Sequence, residues 1–193
     1  MHCVKVTEVA HRLVTGQLQA GEVAVDATAG NGRDTLLLAR LVGDAGTVFA
    51  FDVQACALAA TGSRLMQHNL DEVVKLCQRG HESLAEVVPR CHHGRVATVM
   101  FNLGYLPGGD KSMITREQTT LSALQQALDI LRAGGLCTVV CYPGHEGGEQ
   151  EAAAVLRFIE NLDHDDYRVE RHDSEHRMNS PPFLLAIKKM SPG

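Results

Sequence analysis

The chain has 193 residues, 45% of them hydrophobic, which suffices for one sizeable core and is small for two. A formal net charge of −5, with 4% aromatic residues and no tryptophan, argues against a broad basic surface for nucleic acid and against a stacking platform for single strands, although a local basic patch remains compatible with it. No apolar run reaches the length of a membrane span, and the amino terminus lacks a signal pattern. We therefore expect a single cytoplasmic domain over residues 1–193 that does not associate with membranes.

The hydrophobic spacing predicts strands that alternate with helices along the whole chain. Predicted strands cover residues 22–26, 47–52, 73–78, 96–101, 136–142, 167–172 and 183–188. Predicted helices cover residues 4–18, 35–41, 55–68, 83–88, 119–131 and 149–162, the last with Glu151 and Arg157 on its outer side. This alternation indicates a mostly parallel sheet with helices on both faces. No helix separates the last two strands, which should pair antiparallel at one edge. Seven strands so connected favour the α/β, Rossmann-like arrangement of class I methyltransferases.

The first predicted strand runs into a turn that contains glycines at positions 30 and 32. These glycines allow a close approach of the backbone to a ligand, and the next helix offers unpaired N–H groups there. The second strand ends in Asp52, about twenty residues later, as expected for a carboxylate that binds ribose hydroxyls, and Gln54 follows within reach of the same sugar or the purine edge. A G-x-G pattern alone is equally consistent with a simple tight turn. Together with Asp26 and Asp52 it predicts a nucleoside cofactor.

The polar residues of this turn favour S-adenosyl-L-methionine over NAD. The third glycine or alanine of the dinucleotide pattern is absent, since Asp34 and Thr35 occupy that region. Asn31 and Asp34 suit the amino and carboxylate groups of a methionine moiety better than a pyrophosphate. The third strand ends near His81 and Glu82, where it would adjoin the adenine. His81 could bind the cofactor or cap the helix near residue 83, and a role as general base is a lesser possibility.

One polar side chain, Asn102, ends the apolar run 96–101. Ligands bind outside the carboxyl ends of strands in open α/β sheets, so Asn102 should lie at the rim of such a site. Its amide oxygen, the Leu103 carbonyl and the ring of Tyr105 could hold a nucleobase, or an amine whose lone pair is aimed at a methyl group. The glycines and proline that follow suit a loop facing a substrate. The alternative is that Asn102 is only a turn residue.

Two further segments contain polar residues that could face a substrate. His145 and Glu146 follow the fifth strand and could contact substrate, accept the released proton, or form a turn that caps the next helix. Arg177 and Asn179 precede the last strand and are candidate substrate contacts. The segment Cys91-His92-His93 could be interpreted as a metal cluster, but adjacent ligands on a turn rarely close a site alone. We predict neither a metal site nor disulfides among the six cysteines.

Several of these segments resemble a known bacterial family. It comprises the tRNA 5-aminomethyl-2-thiouridine methyltransferases (MnmM, or YtqB-like), long labelled rRNA methylases. The segment from Asn102 to Lys111 is unusually specific, whereas the glycine turn is common to many methyltransferases. Arg33 departs from the histidine common in the family, so its role stays open. The matching motifs are 26–35, Phe51-Asp-Val-Gln54, 101–111, Tyr142-Pro-Gly-His145 with Gly147, and Pro181-Pro182-Phe183.

The resemblance implies a class I fold, S-adenosyl-L-methionine as cofactor, and methylation of the aminomethyl nitrogen of a tRNA wobble uridine. Expected catalytic residues are Asn102 and Tyr105. Expected cofactor contacts are Asp26, Gly30, Asn31, Gly32, Asp34, Asp52, Gln54, His81, Glu82 and Asn102. Expected substrate contacts are Leu103, Gly104, Asp110, Lys111, His145 and Arg177.

Other functions remain open at this stage. An S-adenosyl-L-methionine-dependent N-methyltransferase acting on rRNA or on a small-molecule amine is the alternative, and a cofactor-binding partner subunit without activity is a third hypothesis. Because the chain is acidic, tRNA would have to meet a local basic rim, such as Lys111, Arg116 and Arg177, or a wider surface assembled by a homodimer.

Overall fold

The computed structural model describes residues 5–104, 115–174 and 180–191. Within these ranges the strands form one seven-stranded sheet. They are β1 (Val23–Asp26), β2 (Thr47–Phe51), β3 (Val74–Cys77), β4 (Val96–Asn102), β5 (Leu131–Cys141), β6 (Tyr167–Asp173) and β7 (Phe183–Lys189). Their spatial order is β3-β2-β1-β4-β5-β7-β6.

The pairing directions follow from how the strands are connected. The pairs β1–β2, β1–β4, β2–β3 and β4–β5 are parallel, because a helix-containing crossover returns the chain to the same end of the sheet. Strand β7 pairs antiparallel with both β5 and β6. The predicted fold class, with its antiparallel pair at the C-terminal edge, is confirmed.

Helices cover both faces of the sheet. They are α1 (Val6–Thr15), α2 (Arg33–Val42), α3 (Ala55–Met66), α4 (Leu84–Val87), α5 (Glu117–Ile130) and α6 (Gly148–Glu160). Alternate residues of β2 point to opposite faces, so Val48 and Ala50 join the apolar cluster with α1, α2 and α3, whereas Phe49 and Phe51 join the cluster with α5 and α6. No helix within the described residues is long and apolar enough to cross a membrane.

The boundary between α5 and β5 differs from the prediction. The predicted helix extended to Leu131 and the strand began at residue 136, whereas the helix ends at Ile130 and Leu131 already pairs with Val96. The next pair joins Thr98 to Leu136, so residues 132–135 lie opposite one residue of β4. The two glycines at 134 and 135 therefore interrupt a strand and do not simply end a helix.

Glu151 was predicted to lie on the outer side of its helix, and this was wrong. The residue is 3% exposed. Its carboxylate accepts hydrogen bonds from the hydroxyls of Thr115 at 2.7 Å and Thr120 at 2.6 Å. Arg157, predicted on the same side, is exposed as expected. The cost of burying the charge of Glu151 is offset by donors that lie far away in the sequence.

Candidate active site

A cavity of about 1180 Å³ opens at the carboxyl ends of β1, β2 and β4. This volume slightly exceeds the usual upper range of about 1,000 Å³ for small-molecule pockets, which leaves space for a cofactor together with part of a second ligand. Most of the predicted site residues that the structure describes line this cavity. They are Gly30, Asn31, Asp34, Asp52, Gln54, His81, Glu82, Asn102, Leu103, Gly104 and His145.

Asp26 and Gly32, two of the predicted cofactor contacts, are part of the support beneath the glycine turn. Asp26 is fully buried and accepts hydrogen bonds from the Thr28 N–H at 3.1 Å and the Thr35 hydroxyl at 2.6 Å. Gly32 has a φ of 73°, and a Cβ there would lie 2.8 Å from the hydroxyl oxygen of Thr61. Both residues shape the turn without lining the cavity, because the carboxylate is used by the turn and the glycine packs against a helix.

Burial, together with the charge of Asp34, raises the pKa of Asp26 to about 7. The Thr35 and Thr28 hydrogen bonds act in the opposite direction, and the charge of Asp52 raises the pKa further. In the unfolded chain this carboxyl has its ordinary pKa of 3.8. The folded protein therefore binds a proton at Asp26 that the unfolded chain has already lost in this pH range.

We expect Asp26 to make the free energy of unfolding fall as the pH rises. Its contribution is complete below pH 4 and declines by at most about 1.4 kcal/mol per pH unit until about pH 7. Denaturant titrations of wild type and Asp26→Asn at several pH values measure this, since the asparagine keeps the neutral form. The free energy of unfolding of wild type, taken relative to that of Asp26→Asn, should fall as the pH rises. A difference between the two proteins that does not vary with pH would contradict the raised pKa.

Asp52 connects the turn after β1 with the segment after β2. One carboxylate oxygen accepts the N–H of Gly30 at 2.9 Å, and the other accepts the N–H of Gln54 at 2.8 Å. Each oxygen of an ionised carboxylate can accept a further hydrogen bond, so hydroxyl groups of a ligand in the cavity can still be bound. The geometry is suited to the predicted contact with ribose.

His81 forms part of the cavity wall and is 7% exposed. Its ring packs edge-on against Phe101, with ring centroids 5.8 Å apart. Burial lowers the pKa of His81 below its usual 6.5, although the charge of Glu82 and a hydrogen bond to the Ala27 backbone act in the opposite direction. The imidazole is therefore neutral at neutral pH, and the ring nitrogen that does not bond to Ala27 is left for a ligand. The short 3₁₀-helix at His81–Ser83 has no side-chain capping hydrogen bond. The position therefore favours the predicted ligand contact over the capping alternative.

Asn102 is held at the end of β4 by hydrogen bonds to two neighbouring segments. Its backbone N–H donates to the Thr28 hydroxyl at 2.7 Å, and its side-chain Nδ2 donates to Oδ2 of Asp34. The amide oxygen Oδ1 is buried and accepts no hydrogen bond from any residue within the described ranges. A buried acceptor without a donor destabilises the protein by about 1–3 kcal/mol, and a ligand N–H that donates to it can remove this penalty.

Sequence reasoning missed the contribution of α1 to this cavity. His11 Nε2 lies 2.5 Å from Oδ1 of Asp34, and Lys5, Thr7 and Glu8 also line the wall. The Asp34 hydrogen bond raises the pKa of His11 above its usual 6.5, although burial acts in the opposite direction. The helical spacing of α1 predicts which side is buried. It does not indicate that the N-terminal half of the helix reaches the cavity.

The side chain of His145 lines the cavity and packs against Gly104 and Gly148. A Cβ at position 104 would lie 3.2 Å from His145 Nε2, and one at position 148 would lie 2.9 Å from the same atom. The Nδ1 atom lies 2.9 Å from the carbonyl oxygen of Glu146 and donates to it. The ring can pack this closely because both glycines lack side chains.

Several predicted substrate residues lie outside the described ranges: Tyr105, Asp110, Lys111, Arg177 and Asn179. The two described residues that flank segment 105–114 are joined directly. The Gly104 N–H donates to the Thr115 hydroxyl at 2.8 Å, and the Thr115 N–H donates to the Gly104 carbonyl at 2.9 Å. These hydrogen bonds hold Gly104 and Thr115 together at the wall of the cavity.

The Cys91-His92-His93 segment has other contacts in the structure. His92 packs against Phe49 with ring centroids 5.8 Å apart, and His93 Nε2 lies 3.0 Å from the Val88 carbonyl oxygen. Across the described part of the chain, no group of three or more His, Cys, Asp or Glu side chains could hold a metal ion.

A family model described as "Putative rRNA methylase" matches residues 48–188, which is most of the chain. The chain belongs to this family. A curated relative from Arabidopsis thaliana, "tRNA (mnm(5)s(2)U34)-methyltransferase, chloroplastic", is 41% identical over 193 residues, covering 96% of this chain and 70% of the relative. The predicted family and enzyme class are confirmed, and the protein is a methyltransferase.

Solved structures that are similar to this chain have the same fold. An rRNA methylase homologue from Clostridium thermocellum is 39% identical with a TM-score of 0.92, covering 98% of this chain and 100% of that one. A "putative methyltransferase" from Streptococcus mutans, solved in complex with SAH, is 35% identical with a TM-score of 0.86 and the same coverage. An O-methyltransferase from Thermotoga maritima, only 15% identical, has a TM-score of 0.68 over all of this chain and 69% of its own, and shows the fold alone.

Proposed function

We propose that this protein transfers a methyl group from S-adenosyl-L-methionine to the aminomethyl nitrogen of 5-aminomethyl-2-thiouridine at the wobble position of tRNA. The observation that carries the proposal is the Asn102 amide, whose oxygen is buried at the cavity wall without a described donor. An amine N–H is the complementary group. The name of the Arabidopsis relative supports the choice of tRNA nucleoside.

The residues of the cavity fit S-adenosyl-L-methionine, which is the cofactor of this enzyme. Asp52 and Gln54 would hold the ribose, His81 would adjoin the adenine, and the turn at Gly30 and Asn31 would hold the methionine part. When bound, the cofactor supplies a methyl group on a positively charged sulfur, which a nitrogen lone pair can attack. The fit depends on the unused acceptor positions of Asp52 and on the neutral His81 imidazole.

The task of Asn102 is to orient the amine. Its oxygen accepts one N–H of the nucleophile, and the adjacent Leu103 carbonyl offers a second acceptor, so the lone pair is left to point away from both. The nitrogen gains positive charge as it is methylated, and a fixed oxygen dipole stabilises that charge more in the transition state than in the ground state. Positioning and exclusion of water are therefore the main contributions of the protein.

Positive side chains near the cavity support an RNA substrate despite the net charge of −5. The described wall includes Lys5, Arg33, Arg79 and Arg116. Arg79 also pairs with Glu86 at 3.0 Å. A local rim of this kind can contact a few phosphates of an anticodon loop without a basic surface elsewhere. A homodimer that widens this rim remains part of the proposal.

The test is methylation of a defined tRNA. Purified protein is incubated with labelled S-adenosyl-L-methionine and tRNA that carries 5-aminomethyl-2-thiouridine, and the nucleosides are analysed by mass spectrometry. We expect the methylaminomethyl nucleoside, and no product with the same tRNA lacking the aminomethyl group. Folded protein that binds the cofactor but gives no methylated nucleoside contradicts the proposal. Methylation of a free amine with indifference to tRNA would favour the small-molecule alternative.

Replacing Asp52 with alanine should weaken cofactor binding by roughly 10- to 100-fold, because at least one hydrogen bond to a charged group is lost. Isothermal titration with S-adenosyl-L-methionine measures the affinity. Asp44→Ala is the matched control, since Asp44 is an exposed aspartate before the opposite end of β2. Equal affinities in the two variants would refute the ribose contact.

A further inference from the structure

Three side chains from three different elements form a chain of hydrogen bonds in the cavity wall. His11 lies on α1, Asp34 in the first turn of α2 and Asn102 at the end of β4. His11 Nε2 lies 2.5 Å from one oxygen of Asp34, and the other oxygen accepts from Nδ2 of Asn102. The side chain of Asp34 is only 10% exposed, so this contact is largely shielded from water.

The chemistry of Asp34 decides which way the Asn102 amide faces. The two ends of an asparagine amide have nearly the same shape, so their hydrogen-bond partners must determine the orientation. An ionised carboxylate can only accept hydrogen bonds, and therefore the NH₂ group has to face Asp34. The amide oxygen is then directed away from Asp34. This oxygen is the buried acceptor without a described donor.

His11 is suited to maintain Asp34 in this accepting state. The acidic groups that face the imidazole are Asp34, Asp26 and Glu8, and the hydrogen bond to Asp34 is the largest cause of the raised pKa of His11. The raised pKa favours the protonated ring, and Nε2–H donates to the carboxylate. A histidine that keeps its proton is a hydrogen-bond donor and is poorly suited to remove a proton from the substrate.

We infer that His11 is a positioning residue for methyl transfer, which acts through Asp34 to orient the amide of Asn102 toward the nucleophilic amine. The inference rests on the proposed function, because that function assigns the amine to Asn102. It also extends the task expected of Asp34. Both of its oxygens accept from protein groups, so Asp34 links α1 to the end of β4 in addition to its expected contact with the methionine moiety.

Kinetics of three variants test this role. His11→Ala should lower kcat by roughly tenfold, the size expected for one hydrogen bond to a charged group, with the cofactor affinity and the KM for tRNA within about twofold of wild type. His11→Gln should regain part of the loss, because its amide N–H can still donate toward Asp34. Arg12→Ala removes an exposed side chain from the next position of α1 and should behave as wild type. An unchanged kcat in His11→Ala overturns the inference.

A spectroscopic measurement separates this inference from the proposed function. The side-chain NH₂ signals of Asn102 are recorded by NMR in the full-length protein without tRNA. We expect His11→Ala to shift these signals and to speed their hydrogen exchange, and Arg12→Ala to leave them unchanged. Identical Asn102 signals in wild type and His11→Ala overturn the inference even if tRNA is methylated. If wild type methylates no tRNA, the proposed function fails, and shifted Asn102 signals still establish that His11 orients this amide.

Discussion

Asn102→Ala should lower kcat by roughly 10²- to 10³-fold, the range found when one stabilising group that acts in the transition state is removed. The variant loses the only side-chain amide at the end of β4, and with it the acceptor that we assign to the amine. Cofactor affinity should change little, because Asp52, Gln54 and His81 keep their positions. Steady-state kinetics with tRNA and calorimetry with the cofactor measure the two effects separately.

Thr98→Val provides a matched control within the same strand. The Thr98 hydroxyl is buried and has no hydrogen-bond partner in the described structure, so its loss should leave kcat unchanged. If Asn102→Ala keeps more than half of the wild-type kcat, Asn102 does not hold the amine. If it mainly loses affinity for S-adenosyl-L-methionine, the residue binds the cofactor, which the sequence also allows.

Glu151→Ala should lower the free energy of unfolding by about 2–4 kcal/mol and reduce activity as well. The substitution leaves the buried Thr120 hydroxyl and the partly buried Thr115 hydroxyl without their acceptor. A buried hydrogen bond to a charged group contributes about 1.5–3 kcal/mol, and the Thr115 bond contributes less because water can replace the lost acceptor. Thr115 also accepts from the Gly104 N–H, so the support of the site beside Asn102 weakens. Urea denaturation measures the stability, and kcat with tRNA measures the activity.

Two other variants separate the effect of the Glu151 hydrogen bonds from the effect of a negative charge in the first turn of α6. Glu149→Ala removes an exposed acidic residue from the same first helical turn, where its interaction with the helix dipole is worth about 0.3–1 kcal/mol. Glu151→Gln keeps one acceptor oxygen and should be intermediate. Equal destabilisation by Glu149→Ala and Glu151→Ala would show that the threonine contacts contribute nothing.

Only those residues of the candidate site that follow a local sequence pattern could be predicted. Asp52 and Asn102 were found because each follows a buried strand, and the ends of parallel strands meet at one edge of the sheet. Asp26 has the same pattern, yet it is fully buried, and Thr28 and Thr35 each donate to one of its oxygens. The side-chain partners of a carboxylate depend on the closed turn, which the pattern of apolar residues does not encode.

The sequence by itself determined the alternation of strands and helices, the antiparallel pairing at the C-terminal edge, the glycine turn and the family. These features depend on residue periodicity, on the conformational freedom of glycine and on motifs that are contiguous in the chain. Only the tertiary structure decided the burial of Glu151 and the link from His11 through Asp34 to Asn102. Residue spacing gives each of these side chains a side of its own helix or strand. Whether that side meets solvent or a distant hydrogen-bond partner depends on how the helices pack on the sheet, which brings together residues as far apart as His11 and Asn102.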